Sequence, residues 1–516
     1  MVTAPSVSHG VATQAAAAHH QLADQVVLRS SPRFRLIALG GVVTYFVLTG
    51  LTNLLYGHSG SFLPYAALLL LTAVMFGPLL LLRDLGPLHI LVAPALFWFA
   101  NLVLRQSELV VFGLERHDAL PGLTPNELNS LCAKFYGLSA LAQCVFLLGF
   151  FTIRRARVPV LRLAPPKHVT VKALIVLAAA SLGLAAYHNA AGGLEGMLLI
   201  RGVSRATRQE IRGGGDHLLV VLGLPIVLAY VLHTFRNRTH GRALLWVSFV
   251  FGLVALFLAS GSRSALLYPF VILGLIHFLR TGRAPKLSLL AFIFAAWLLV
   301  GIVGVFRTMH FGASSIDWDA FSGHTVSDFL DASSDDLSSR GTERNGNLPP
   351  LYYVPHDSPL LLGSTYLRIL LSPIPQVLLP FDKPTAAGRL NGQLFFSVDA
   401  GIPVSSVTEA YWNFHVPGVL VIFFGFGVLA AYVFRFYLLN HTVPGVLALY
   451  SIYVLYFEFS SERLILFLQQ SFGIFLLVVL FCGFPKITGW RTVRLNYSRE
   501  SRPRGRPVLT ASPPAS

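Results

Sequence analysis

Four arginines within twelve residues form the part of this sequence best suited to binding an anion. The stretch RGVSRATRQEIR contains Arg201, Arg205, Arg208 and Arg212. Because their spacing is four, three and four, all four lie on one face of a helix. Guanidinium groups this close repel one another unless an anion lies between them, and their forked geometry suits phosphate oxygens. The stretch therefore predicts a phosphate or diphosphate site. The alternative is a solvated helix face that touches lipid head groups.

Two further groups of residues could act on the same ligand. Arg263, in the run GSRSAL, falls at the junction of two strongly apolar stretches, where a cation is a functional candidate or an interfacial arginine. Arg307 and His310 in FRTMH lie one helical turn apart. A neighbouring arginine favours the neutral, basic imidazole, which can accept a proton from a hydroxyl. A simple interfacial role for His310 is the competing interpretation.

Metal and nucleotide chemistry have little support in the sequence. Asp317 and Asp319 have the D-x-D spacing of some metal-binding sugar transferases, which leaves a metal site as an open alternative. No zinc-protease, nucleophile-elbow or phosphate-binding-loop motif is present. We predict no metal and no cofactor.

The elements that must position these residues are predicted to be transmembrane helices. Of 516 residues, 54% are hydrophobic and only 12% are charged, and many apolar runs are long enough to cross a bilayer. The prediction is an all-α, polytopic integral membrane protein with a multi-span, GT-C-like architecture and a large, partly helical external loop. We expect about twelve spans, near residues 34–56, 62–82, 88–104, 129–153, 171–190, 217–235, 243–260, 264–280, 287–306, 416–434, 443–459 and 464–484.

Charge distribution predicts the domain organisation and the topology. Residues 1–33 and 486–516 are predicted to be disordered cytoplasmic tails around a transmembrane domain at 34–485. With both termini inside, most basic loops fall on one side, as the positive-inside rule requires. The net charge of +16 therefore indicates cytoplasmic loops rather than nucleic-acid binding. The predicted external loops are 191–216 and 307–415, and the second is too long to be structureless.

A run late in the chain resembles the Wzy-type O-antigen polymerases, which join oligosaccharide repeat units. The resemblance covers residues 358–430, with GSRSAL and Arg463 as additional matches, and departs from the family at His415, where glycine is usual. The matching positions are Gly363, Tyr366, Leu367, Ile374, Pro375, Lys383, Pro384, Glu409, Tyr411, Asn413, Phe414, Gly418 and Val419.

The resemblance implies a metal-independent glycosyltransferase at the outer face of a bacterial cytoplasmic membrane. Such an enzyme transfers a growing glycan from undecaprenyl diphosphate to a new lipid-linked repeat unit, building a surface polysaccharide or exopolysaccharide. The implied partners are lipid-linked oligosaccharides and membrane lipids, with a chain-length regulator and a flippase. Two alternatives stay open: a ligase that transfers a finished glycan to another acceptor, and a flippase or transporter without catalysis.

The resemblance also suggests roles for the candidate residues. Arg263 and Arg307 would lie nearest the reacting phosphate, where preorganised cations stabilise the leaving diphosphate, and His310 or Glu409 would be the base. Tyr411, Trp412 and Asn413 would shape a sugar groove or simply pack. The diphosphate-binding set is Arg201, Arg205, Arg208, Arg212, Arg368, Lys383, Arg389 and Arg463.

Overall fold

The chain is mainly helical in a computed structural model. The structure describes residues 32–58, 60–82, 85–190, 192–193, 243–247, 250–251, 263–281, 325, 328, 345–372, 374, 378–398, 401–455 and 460–495. Its helices are α1 (Pro32–Tyr56), α2 (Phe62–Leu81), α3 (Ala93–Arg105), α4 (Ser107–Phe112), α5 (Pro125–Thr152), α6 (Val169–Ala190), α7 (Arg263–Thr281), α8 (Leu348–Tyr353), α9 (Ser364–Leu371), α10 (Ala387–Phe395), α11 (Ser406–Asn440), α12 (Pro444–Leu455) and α13 (Ser461–Cys482). The described residues also form two strands, β1 (Arg155–Arg162) and β2 (Lys486–Arg494).

Six helices within the described ranges are long and apolar enough to cross a membrane. They are α1, α2, α5, the first 18 residues of α6, α11 and α13. Shorter apolar helices cover Ala93–Val103, Pro269–Arg280 and Gly445–Leu455. The predicted spans at 217–235 and 287–306 lie outside the described residues, as does most of 243–260. The protein is therefore a helical membrane protein, while the total of about twelve spans stays a prediction.

The core is built around α5 and α11, which pack along each other over much of their length. Two glycines allow the close approach. A Cβ atom on Gly149 would meet the carbonyl oxygen of Phe424, and one on Gly427 would meet the carbonyl oxygen of Phe146. Small residues at helix crossings let backbones touch, and this packing stabilises helix pairs in a bilayer. The apolar cores continue on both sides of this crossing.

We expect Gly427→Ala to lower the free energy of unfolding by about 1–3 kcal/mol, because the added methyl group collides with backbone atoms that cannot rotate away. Gly425 lies two residues away on the same helix, and a Cβ atom there meets nothing within 4 Å. Gly425→Ala is the control and should leave stability unchanged or slightly higher. Thermal unfolding of the purified protein in detergent measures both. Equal melting temperatures for the two variants would contradict the close crossing.

A two-stranded antiparallel ribbon joins distant parts of the chain. β1 pairs with β2 from Arg155 opposite Arg494 to Arg162 opposite Lys486, with a register shift after Val160. At that shift the amide of Leu161 donates to the side-chain oxygen of Asn440 over 2.7 Å, and the Asn440 amide donates to the Pro159 carbonyl over 2.9 Å. The end of α11 therefore holds the irregular part of the ribbon.

The ribbon adds two strands to a mostly helical structure, which is consistent with the predicted all-α class. β2 begins at residue 486, inside the segment 486–516 that was predicted to be a tail. β-Branched and aromatic side chains such as Ile487 and Trp490 favour strands. These side chains alternate with arginine and glycine, so the mean hydropathy of the segment is low. A segment of low hydropathy is not predicted to span a membrane, and it was therefore assigned to a tail. The chain after residue 495 lies outside the described residues.

The bundle has one basic end and one end at which acidic side chains lie among basic ones such as Lys134, Arg389 and Arg463. At the ribbon end, the described charged residues are basic: Arg33, Arg35, Arg154, Arg155, Arg157, Arg162, Lys167, Lys172, Lys486, Arg491 and Arg494. The acidic side chains Glu127, Asp357, Asp382, Glu409 and Glu462 lie at the other end, where α5, α11 and α13 begin and where α8, α9 and α10 pack. These three short helices lie within the described part of the predicted partly helical loop at 307–415.

Candidate functional site

A kink near the start of α11 defines the candidate site. Phe414 and His415 have non-helical backbone angles within this 35-residue helix. Pro417 has no N–H group, so it cannot bond to the carbonyl four residues earlier. The carbonyl oxygens of Trp412 and Asn413 instead accept hydrogen bonds from the amides of Leu361 and Leu362, over 3.1 and 3.2 Å. The kink therefore binds the segment before α9 to the membrane helix.

The Asn413 side chain holds this junction in place. Its oxygen accepts a hydrogen bond from the amide of Gly363 over 2.8 Å, and its nitrogen donates to the hydroxyl of Thr365 over 2.9 Å and to the carbonyl of Glu409 over 2.8 Å. Gly363 has a φ of +86°, and a Cβ atom there would lie 2.9 Å from Cζ of Phe414. Asn413 and Gly363 thus position the loop, and both belong to the motif that carries the resemblance.

His415 occupies a backbone conformation that suits glycine. Its φ of 58° and ψ of −154° fall in a region that side chains with a Cβ atom rarely adopt. Its ring nitrogen Nε2 lies 2.8 Å from the hydroxyl of Tyr411. The backbone therefore bends sharply at His415, in a conformation that glycine adopts without strain.

We expect His415→Gly to raise the free energy of unfolding by about 1 kcal/mol. Glycine relieves roughly 1–3 kcal/mol of backbone strain and loses one hydrogen bond, which contributes about 0.5–1.5 kcal/mol. His415→Ala loses the same hydrogen bond but keeps the strain, so it should be less stable than the wild type. Thermal unfolding in detergent ranks the three proteins. An alanine variant as stable as the glycine variant would show that the bend is unstrained.

Glu409, in the first turn of α11, contacts the start of α13 and is fully buried. Its Oε2 accepts a hydrogen bond from the amide of Ser461 over 2.7 Å, and a carboxylate at a helix N-terminus is favourably placed. Oε1 has no hydrogen-bond partner within the described residues, although the hydroxyls of Ser461 and Thr365 face the carboxyl group. Burial and the nearby Glu409 carboxyl raise the pKa of Tyr366 well above its usual value. Oε1 of Glu409 is thus a buried acceptor without a hydrogen-bond partner among the described residues.

A cavity of about 230 Å³ with both polar and apolar walls opens beside this carboxyl group. Two acidic residues, Glu409 and Glu462, and one basic residue, Arg463, contribute to its wall. A Cβ atom on Gly388 would lie 3.0 Å from Oε1 of Glu462, so the glycine leaves room there. The remaining wall consists of Asn347, Ala387, Pro403, Val404, Ser405, Ser460 and Leu466. With two carboxylates and one guanidinium group, the cavity is suited to hydroxyl groups, which both donate and accept hydrogen bonds.

The structure brings together some of the predicted site residues. Glu409 and Arg463 line the cavity, whereas Arg368, Lys383 and Arg389 are absent from its described wall. The Arg368 guanidinium group donates to the carbonyl of Pro384 over 2.7 Å, which links α9 to the following loop. The helix α7 begins at Arg263. The predicted residues Arg201, Arg205, Arg208, Arg212, Arg307 and His310 lie outside the described residues, as do Asp317 and Asp319.

Two of the predicted sugar-groove residues are packed inside the protein. Trp412 is fully buried, and its ring lies 5.4 Å from that of Phe395. The Tyr411 ring is also buried, with the ammonium group of Lys134 5.4 Å from its centroid. Of the two roles open to them, packing is the one that this burial favours.

Sequence reasoning did not single out Asn347, Ser405, Ser460 or Glu462. The side chain of Asn347 accepts a hydrogen bond from the amide of Ser405 over 2.6 Å, and Ser460 caps α13 by accepting from the amide of Arg463. The run SSER directly before an apolar helix was a usable signal, because serine followed by an acidic residue is typical of a helix start.

Comparison with known proteins gives no relative: no family model, no curated protein and no solved structure matches this chain.

Proposed function

We propose that the protein is a metal-independent glycosyltransferase that polymerises oligosaccharide repeat units linked to undecaprenyl diphosphate. One observation supports this above all others. Gly363, Glu409, Asn413 and Arg463 belong to the resembling run or match it separately; hydrogen bonds link Gly363, Asn413 and Glu409, and Glu409 shares a cavity wall with Arg463. Motif residues a hundred positions apart that build one cavity are consistent with a common function there.

In this proposal the cavity holds the acceptor sugar. Its wall carries more acidic than basic side chains, which disfavours a diphosphate and suits a polyhydroxyl group. Glu409 accepts a hydrogen bond from the acceptor hydroxyl through its free oxygen, and Arg463 donates to a ring or hydroxyl oxygen. The diphosphate is bound, in this proposal, by the arginines at 201–212 together with Arg263 and Arg307. Arg463, which was predicted to bind a diphosphate, is thus proposed to bind the sugar instead. His310 stays the other candidate for the catalytic base.

The proposed orientation follows from charge. Basic residues collect at the cytoplasmic side of membrane proteins, and the ribbon end is basic while the cavity end carries the acidic side chains. We therefore propose that the ribbon faces the cytoplasm of a bacterium and the cavity faces outward, where lipid-linked repeat units are polymerised. Both termini are cytoplasmic in this arrangement.

Two other functions make different demands on the molecule. A ligase would use the same donor with a different acceptor, and the cavity is compatible with either. A flippase needs a polar path through the bilayer. The crossing between α5 and α11 is closed by glycine and phenylalanine residues such as Gly149, Gly427 and Phe424, which favours chemistry at one membrane face over passage along this pair of helices.

Deleting the gene and following the lipid-linked repeat units separates the three functions. Loss of a polymerase leaves single repeats exposed outside and no long polymer. Loss of a ligase leaves long polymer on its lipid carrier, and loss of a flippase traps repeats inside. Restoring the gene with Arg205→Ala or Arg263→Ala should reproduce the deletion at normal protein levels, whereas lysine should restore only part of the activity because it lacks the bidentate fork. Full activity of the alanine variants would remove both arginines from the proposed site.

A further inference from the structure

The ribbon carries a concentration of exposed basic side chains. The two strands place Arg155, Arg157, Arg162, Lys486, Arg491 and Arg494 on the surface, and we call these six residues the basic ribbon. Arg155 lies directly opposite Arg494 across the strand pair. Like charges that face each other destabilise a sheet unless a counter-charge is near. No acidic side chain lies on either strand, so the ribbon lacks a counter-charge of its own.

Both ends of the ribbon are attached to membrane-spanning helices. β1 begins at Arg155, directly after α5 ends at Thr152, and β2 begins at Lys486 shortly after α13 ends at Cys482. The carbonyl of Phe481 also accepts a hydrogen bond from the amide of Lys167, where the chain leaves β1 for α6. An eight-residue strand spans roughly 26 Å. The ribbon therefore lies along the membrane boundary between two anchor points and does not project far from it.

Large apolar side chains accompany the basic ones. Phe484, Ile487 and Trp490 are 73%, 58% and 54% exposed, and all lie within eight residues of the end of α13. Tryptophan is enriched where the apolar part of a membrane meets its head groups. Basic and aromatic side chains together at the membrane boundary suit a surface of anionic head groups. Such a surface attracts positive charge, and apolar side chains can enter the edge of the acyl layer beneath it.

We propose that the basic ribbon binds the anionic head groups of phospholipids in the leaflet that surrounds the ends of α5 and α13. The phosphate groups supply the counter-charge for Arg155, Arg157 and Arg494 that neither strand of the ribbon carries. Trp490 and Ile487 insert at the edge of the acyl layer, while Ala156, Val158 and Val493 pack inward. The ribbon thus ties the end of the transmembrane domain to a charged membrane surface. This surface lies at the opposite end of the bundle from the cavity.

A titration with phosphatidylglycerol tests the proposal. The full-length protein is kept in neutral detergent, and its melting temperature is followed as phosphatidylglycerol or phosphatidylcholine is added. We expect phosphatidylglycerol to raise the melting temperature and phosphatidylcholine to have little effect. Because each basic residue near an anionic surface contributes about a fivefold gain in affinity, Arg157→Gln with Arg494→Gln should weaken the phosphatidylglycerol response roughly 25-fold. High salt should have a similar effect.

The matched control removes two exposed basic residues from the same end of the bundle but outside the ribbon. Arg33→Gln with Lys167→Gln changes the net charge by the same amount, so it reports the effect of charge alone. A much smaller loss in the control supports the ribbon as the lipid site. Equal losses in the two double variants, or equal responses to the two lipids, would overturn it. A complete absence of response would also overturn it and direct attention to an acidic protein segment.

Discussion

Glu409→Gln should reduce polymer formation at least a hundredfold while the protein still folds. Glutamine keeps an oxygen that can accept the hydrogen bond from the Ser461 amide, so the start of α13 stays anchored. It removes the negative charge from the oxygen that we assign to the acceptor hydroxyl. Side chains that position or accept a proton contribute roughly 10²–10⁴-fold to rate. Polymer ladders from a deletion strain that expresses each variant give the measurement.

Glu127 provides the control for this change. It is an exposed glutamate at the same end of the bundle, where it completes the capping box of α5 with Thr124. Glu127→Gln should leave polymer formation at the wild-type level. The decisive comparison is with Glu409→Ala, which also removes the contact with Ser461. If Glu409→Gln polymerises normally and only Glu409→Ala fails, Glu409 anchors a helix and takes no part in the reaction.

Asn413→Ala should lower the free energy of unfolding by about 3 kcal/mol and abolish polymer formation. The change removes three hydrogen bonds, to Gly363, Thr365 and Glu409, and each contributes about 1 kcal/mol. The segment before α9 then loses its attachment to the kink. The cavity loses shape because the same bonds hold the backbone of Glu409 in position.

A second substitution at the same position tests the donor role of the side chain. Asn413→Asp keeps the oxygen that accepts from Gly363 but turns a second acceptor toward the carbonyl of Glu409 and buries a charge, so it should lose at least as much stability as Asn413→Ala. Asn101→Ala is the control, since Asn101 is exposed on α3, and it should behave as the wild type. Thermal unfolding in detergent and the polymer ladder are measured for each protein. An Asn413→Ala protein that melts with the wild type would disprove the network.

Sequence hydropathy predicts the spanning helices well where the apolar run is uninterrupted. The predicted span at 62–82 corresponds to α2 at Phe62–Leu81, and the predicted span at 464–484 corresponds to α13. Hydropathy predicts the length of a helix poorly where local turns and polar contacts, rather than the apolar run, determine where the helix begins. The predicted span at 88–104 is a 13-residue helix beginning at Ala93, because Leu88 to Val92 form turns in which the buried His89 ring accepts from the Leu91 amide.

Tertiary contacts explain the parts of the site that sequence could not supply. The motif residues Glu409 and Asn413 were identifiable, but their partners Ser461 and Gly363 are about fifty residues away in the chain. Spacing along one helix carries no information about such pairs. The resemblance assigns Arg368 to a diphosphate, which stays a prediction, and the structure adds that its guanidinium group donates to the Pro384 carbonyl. A single sequence shows the charge of an arginine but not the acceptor that it meets.

His415 stands where the resemblance leads one to expect glycine, and whether its bend matches that of the family stays an open prediction. The observed φ of 58° places His415 in a backbone region that favours glycine. Pro417 and the two bonded carbonyls hold the backbone in this conformation from outside the residue. The preference of histidine for negative φ is thus overridden by neighbouring residues that hold the backbone at positive φ.

The pairing of β1 with β2 limits how the intervening polypeptide can thread the bilayer. Strands that share a ladder of hydrogen bonds must lie in the same aqueous compartment, so the chain from residue 162 to residue 486 crosses an even number of times. Any topology in which residues 162–486 cross the membrane an odd number of times is excluded, whichever compartment the strands occupy. Reporter fusions placed just after β1 and just before β2 must therefore give the same signal.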